Sequence, residues 1–77
     1  MKLSQIKSIL ASGEIAANQV NPIIEHMEAQ WLGQLTDIEK GALRDLINNM
    51  FLLSQDKNSG AYVNNPDKAE SLLEALG

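Results

Sequence analysis

The chain has 77 residues, a formal net charge of −4 at pH 7 and a hydrophobic content of 44%. This length and apolar content predict a single domain (residues 1–77) with its own core, although a domain this small buries only about 60% of its unfolded surface. Because the chain has no cysteine, disulfides and thiolate metal sites are excluded as reinforcement of that core.

The distribution of charge and apolar residues bears on location and on partners. No stretch approaches the roughly 20 apolar residues of a membrane-spanning helix. The first residues, MKLSQIKSILASG, hold no unbroken apolar segment, so we expect no signal peptide and a cytoplasmic location. Residues 13–39 carry five acids and no Lys or Arg. Such an acidic region disfavours phosphate backbones and favours basic partners.

Apolar residues recur at helical spacing along most of the chain, which predicts an all-α, compact four-helix fold. Gly13 and Gly33 are expected to end the first two helices, because glycine accepts the left-handed conformation that follows a helix. Asn18 or Asn21 is expected to cap the second helix, with Pro22 in its first turn, where no amide donor is missed. The expected helices span about 3–12, 18–32, 36–54 and 66–76.

The third helix has the most distinct start. Thr36-Asp37-Ile38-Glu39 matches the capping box, in which Thr36 and Glu39 each accept a hydrogen bond from the other's backbone amide. Leu52 is out of period and falls on the polar face, which predicts that it meets a partner or is covered by the next loop. The helix also has one broad apolar face, formed by Ile38, Ala42, Leu43, Leu46, Ile47, Met50 and Leu53.

Residues 55–65, QDKNSGAYVNN, consist mainly of turn-forming residues and predict an ordered loop. Tyr62 and Val63 are its large apolar residues, and we expect both to fold back on the core. Asn65-Pro66 predicts the start of the last helix, with Asn65 as its cap and Pro66 in its first position.

The chain carries no catalytic or cofactor signature. His26, the only histidine, lies on the polar side of its helix between Glu25 and Glu28, and no serine has a G-x-S-x-G context. The length, acidity and helix count resemble phosphopantetheine carriers, but the Asp-Ser-Leu attachment motif of that family is absent. We therefore expect no enzyme, no cofactor and no small-molecule substrate.

One loop offers an alternative function in calcium binding. Residues 56–67 resemble an EF-hand or dockerin-type loop, with oxygen donors at positions one, three, nine and twelve. Gly60 supplies no side-chain ligand at position five, Ala61 replaces the turn glycine, and Asp67 is shorter than the usual bidentate glutamate. The resemblance implies weak calcium binding at most.

A second alternative is nucleic-acid binding by a helix-turn-helix over residues 3–32. The exposed positions of the reading helix would be Asn21, Glu25, His26, Glu28 and Gln30. Two acids without a Lys or Arg match phosphate and guanine poorly, so nucleic acid is an unfavoured partner.

The leading interpretation is a small non-enzymatic protein-binding module, either an adaptor, a regulator or an inhibitor of bacterial or phage accessory type. It would act through an apolar and acidic helical surface or through self-association, including homodimerisation. Trp, Met and Phe are enriched at interface cores, and acids favour a basic partner. The candidate partner-binding residues are Trp31, Phe51, Leu52, Glu25 and Glu28.

Overall fold

A computed structural model describes residues 1–16 and 18–77 in full and Ala17 by its backbone. The described chain is all-α, as predicted, with four α-helices and one short 3₁₀ helix. None of these helices combines the length and apolar content needed to cross a bilayer. In chain order the elements are α1 (Leu3–Ser12), α2 (Ala17–His26), the 3₁₀ helix (Ala29–Gln34), α3 (Asp37–Ser54) and α4 (Pro66–Leu76).

The predicted end of α1 is confirmed. Gly13 follows the helix with φ of 73°, in the left-handed region that side-chain-bearing residues rarely adopt. Ile6 and Leu10 are the fully buried residues of α1, and they face the core from one side of the helix.

The predicted second helix over 18–32 is wrong in both extent and capping. The N-cap is Ala16, Pro22 lies inside the helix rather than in its first turn, and α2 ends at His26. Met27 and Glu28 are extended, and Gly33 lies within the 3₁₀ helix instead of terminating an α-helix. The apolar spacing continues through this bend because both segments insert residues into the same core. Periodicity reports burial, and here the backbone hydrogen bonding changes while the burial pattern persists.

The predicted capping box of α3 is confirmed by two hydrogen bonds. The Glu39 amide donates to Thr36 Oγ1 at 3.1 Å, and the Thr36 amide donates to Glu39 Oε1 at 2.8 Å. The Glu39 carboxylate also lies 3.4 Å from Lys7 Nζ, which donates to the carbonyl of Gln34. The hydrogen bond from the Thr36 backbone lowers the pKa of Glu39, and Lys7 lowers it further, against the opposing effect of desolvation.

The core is one cluster to which every helix contributes. The central helix α3 contacts α1, α2 and α4. The buried apolar residues are Ile6, Leu10, Val20, Ile23, Ile24, Met27, Leu32, Leu35, Leu43, Leu46, Ile47, Met50, Ala69 and Leu72.

The loop over 55–65 is held against α2 by Asn21. The Asn21 side-chain amide donates to the carbonyl of Tyr62 at 2.8 Å, and its oxygen accepts from the Asn64 amide at 2.9 Å. Val63 packs partly buried against the core as expected, but Tyr62 is 66% exposed, so its predicted insertion is wrong. The predicted cap of α4 is confirmed, since Asn65 Oδ1 accepts from the Lys68 amide.

Candidate functional site

Large apolar side chains are exposed along one side of α3. Ile38 is 81% exposed, Leu52 64% and Leu53 47%. With about 100° of rotation per residue, Ile38, Ala42, Asp45, Asn49, Leu52 and Leu53 fall within an arc of about 100°. These six residues are termed the α3 stripe.

The α3 stripe exists because the apolar face of α3 is wider than its neighbours cover. The seven apolar residues of the broad face of α3 span about 180° of the helix, compared with roughly 100° for an ordinary core-facing stripe. The other helices bury the half that holds Leu43 and Ile47, both 0% exposed. Ile38 and Leu53, which the sequence placed on that same broad face, are left on the uncovered half.

A groove runs beside the α3 stripe, between α3 and the connection from α1 to α2. Its volume is about 410 Å³. Val20, Leu46 and Met50 are buried side chains beneath it, whereas Leu53 is half-exposed at its edge. The full lining consists of Gly13, Ile15, Val20, Ala42, Asp45, Leu46, Asn49, Met50 and Leu53.

Asp45 is the one charged residue among those that line this groove. It is exposed, and no described cation forms a salt bridge with it. The cations of α3, Lys40 and Arg44, point away, at least about 100° around the helix from Asp45. The Arg44 guanidinium instead lies beside Gly77: a Cβ placed on that glycine would be 3.9 Å from Arg44 Nη1. The groove therefore has an apolar floor, and its polar lining side chains are Asn49 and the unpaired carboxylate of Asp45.

The three apolar residues selected from the sequence do not form one surface. Leu52 is exposed and uncovered by the loop, so the predicted cover by that loop is wrong, and Leu52 belongs to the α3 stripe. Trp31 and Phe51 are partly buried and pack against the core. Phe51 also lies about 160° around α3 from Leu53. Sequence reasoning missed Ile38, Asp45 and Leu53, and the excess width of the apolar face was the signal that could have identified them.

The two acids selected from the sequence lie outside this groove and make local contacts. Glu25 Oε1 accepts from the Asn64 side-chain amide at 3.1 Å, and the Glu25 carbonyl accepts from Lys68 Nζ. These contacts connect α2 to the loop and to α4. Glu28 Oε2 accepts from the Gln30 side chain at 2.8 Å. Their charges contribute to the acidity of the molecule without lining the groove.

The reading helix expected for nucleic acid differs from the observed α2. Because α2 ends at His26, Glu28 and Gln30 lie beyond it, and Asn21 is engaged by the loop. The described α2 segment, ANQVNPIIEH, contains no Lys or Arg.

The loop that resembles a calcium site engages one of its four expected ligands, Asp56, in a turn of its own. Asp56 Oδ1 accepts from the Asn58 amide at 2.9 Å, and Ser59 Oγ donates to the carbonyl of Leu53. Among the described side chains, no group of three or more His, Cys, Asp or Glu residues is arranged to hold a metal ion.

The α3 stripe and its groove thus form the most distinctive surface of the described chain. They combine exposed apolar side chains, a concave apolar floor and one carboxylate. Comparisons with protein-family models, with curated proteins and with solved structures find no match to this chain.

Proposed function

We propose that this chain is a small non-enzymatic protein-binding module, which acts as an adaptor, regulator or inhibitor by occupying a surface of its partner. The observation that supports the proposal is the α3 stripe, where Ile38, Leu52 and Leu53 are exposed beside an apolar groove. Apolar patches bordered by polar residues are typical of interaction sites. The functional surface is therefore the uncovered half of α3.

The size of this surface is sufficient to contribute to binding. Full burial of a Leu or Ile side chain contributes about 1.5–3 kcal/mol. Scaled by their exposed fractions, Ile38, Leu52 and Leu53 would together contribute roughly 3–6 kcal/mol, before the entropic cost of association. Contacts with the groove would have to supply the remainder of a micromolar affinity, which corresponds to about 8 kcal/mol.

The proposal is tested by a capture experiment with matched variants. The tagged protein is used as bait in an extract of its source cells, with Ile38→Asp as the stripe variant and Ala75→Asp as the control. Both positions are exposed, so both variants should keep the far-UV circular dichroism of the parent chain. The control adds the same charge on α4, at a residue that belongs neither to the α3 stripe nor to the lining of the groove.

We expect at least one protein to be retained by the parent chain and by Ala75→Asp but lost with Ile38→Asp. A set of captured proteins that is unchanged by Ile38→Asp would contradict the proposal. So would the absence of any captured protein when the purified chain is also monomeric by mass-resolved sizing.

A further inference from the structure

We infer that the groove beside α3 accommodates a cationic amphipathic helix, with a Lys or Arg of that helix paired to Asp45. This inference rests on the proposed function and specifies the chemistry of the partner.

The length of the α3 stripe fits one helix. Ile38 and Leu53 are fifteen residues apart on a straight helix, which corresponds to about 22 Å at 1.5 Å per residue. A partner helix of about four turns covers that distance. Helices that bind in this way place apolar residues at intervals of three, four and seven along the groove. Ile38 and Leu53 would contact the two ends of such a helix, and the apolar floor would contact its middle.

Asp45 favours a partner with a positive charge. It lies near the middle of the α3 stripe, seven residues after Ile38 and eight before Leu53, and it lines the groove. Any partner that covers the groove removes water from this carboxylate. An entirely apolar partner would leave the charge unpaired, which is costly, whereas a Lys or Arg restores its interactions. The groove therefore selects for a cation at the centre of an otherwise apolar face.

The same residue disfavours a second copy as the occupant. In a two-fold dimer with α3 packed antiparallel on α3, Ile38 of one copy meets Leu53 of the other. The midpoint of the α3 stripe lies between Asp45 and Leu46, and the two-fold axis of such a dimer passes through it. The two Asp45 carboxylates, one from each copy, therefore approach each other. A parallel arrangement also pairs Asp45 with its own copy. Like charges brought together in a partly dehydrated interface oppose association.

The test uses two synthetic peptides with the same four-turn amphipathic pattern of leucines. One carries Lys and the other Glu at the polar position beside the middle of the apolar face, and each is labelled for fluorescence anisotropy. We expect the parent chain to bind the Lys peptide about two- to fivefold more tightly, the upper part of the range for one exposed charge pair. The Asp45→Lys variant should reverse the preference, and Asp45→Asn should remove it.

The matched control is Asp67→Lys, which makes the same charge change at an exposed position of α4. We expect it to keep the preference for the Lys peptide, because general attraction to an acidic protein would respond equally to both substitutions. Amide chemical-shift changes on addition of the Lys peptide should centre on Ile38, Ala42, Asp45, Asn49 and Leu53.

Three results would overturn the inference. They are equal affinity for the two peptides, an equal effect of Asp67→Lys and Asp45→Lys, or a dimer by mass-resolved sizing that Leu53→Asp dissociates. If the charge preference is absent while Ile38→Asp still abolishes capture, only the inferred partner chemistry is wrong. If capture is insensitive to Ile38→Asp, the proposed function itself is wrong.

Discussion

Two isoleucines on α3 provide a direct test of how the helix is buried. Ile38 and Ile47 belong to one apolar face by sequence pattern, yet Ile38 is 81% exposed and Ile47 is 0% exposed. Replacing each by Ala removes the same atoms from the same helix. The difference between the two variants therefore measures the coverage of the two halves of that face.

The expected losses in the free energy of unfolding differ several-fold between the two variants. Removing a buried Ile side chain to Ala costs about 2–5 kcal/mol through lost transfer energy and the cavity that remains. A chain of this length is stable by about 4–12 kcal/mol, so Ile47→Ala should remove a large part of the total. Truncating Ile38 loses little buried apolar area, and Ala is the better helix former. Ile38→Ala should therefore change stability by less than about 0.5 kcal/mol.

The assay is urea denaturation followed by far-UV circular dichroism. With a slope of about 1 kcal/mol/M for a small domain, Ile47→Ala should lower the midpoint by about 2 M or more, and Ile38→Ala by less than about 0.5 M. If Ile47→Ala is unfolded without urea, Ile47→Val should still show a loss of about 1 kcal/mol. Equal shifts for the two Ala variants would refute the assignment of Ile38 to the uncovered half.

Two further predictions concern the start of α3. Thr36→Ala should lower the free energy of unfolding by about 1 kcal/mol, because it removes the acceptor of the Glu39 amide, whereas Thr36→Ser should keep the cap; equal denaturant midpoints for the two variants would contradict this. The pKa of Glu39 is held below its usual value of 4.5, so its stabilising contribution is full above that value and is lost as the pH falls through the lower folded-state pKa. Urea midpoints measured downward from about pH 6 should therefore fall less steeply in Glu39→Gln than in the parent chain. If the urea midpoints of Glu39→Gln and the parent chain fall equally steeply with pH, Glu39 is not a source of the acid sensitivity of folding.

Local chemistry made several elements predictable. Thr36 with Glu39, and Asn65 with Pro66, specify helix starts through groups only a few residues apart, and both starts are observed. Gly13 likewise marks the end of α1. The bend after His26 was not predictable in this way, because the apolar spacing runs through it without interruption.

The candidate site was predictable only in part. Leu52 stood out because it breaks the helical period, and it is exposed. Asp45 is an ordinary polar residue until Ile15 and Val20, from a distant part of the chain, form the groove together with α3. Trp31 was selected for its size, but it packs partly against the core because neighbouring elements are available to cover it.

The sequence by itself determined that this protein is helical, where α1, α3 and α4 begin and end, and that α3 has more apolar surface than an ordinary stripe. Caps, turn residues and periodicity act over a few residues, so they can be identified from the sequence without knowledge of the fold. Only the tertiary structure decided which half of α3 is buried. That choice depends on how α1, α2 and α4 pack around it, and their packing covers Ile47 while leaving Ile38 and Leu53 exposed beside Asp45.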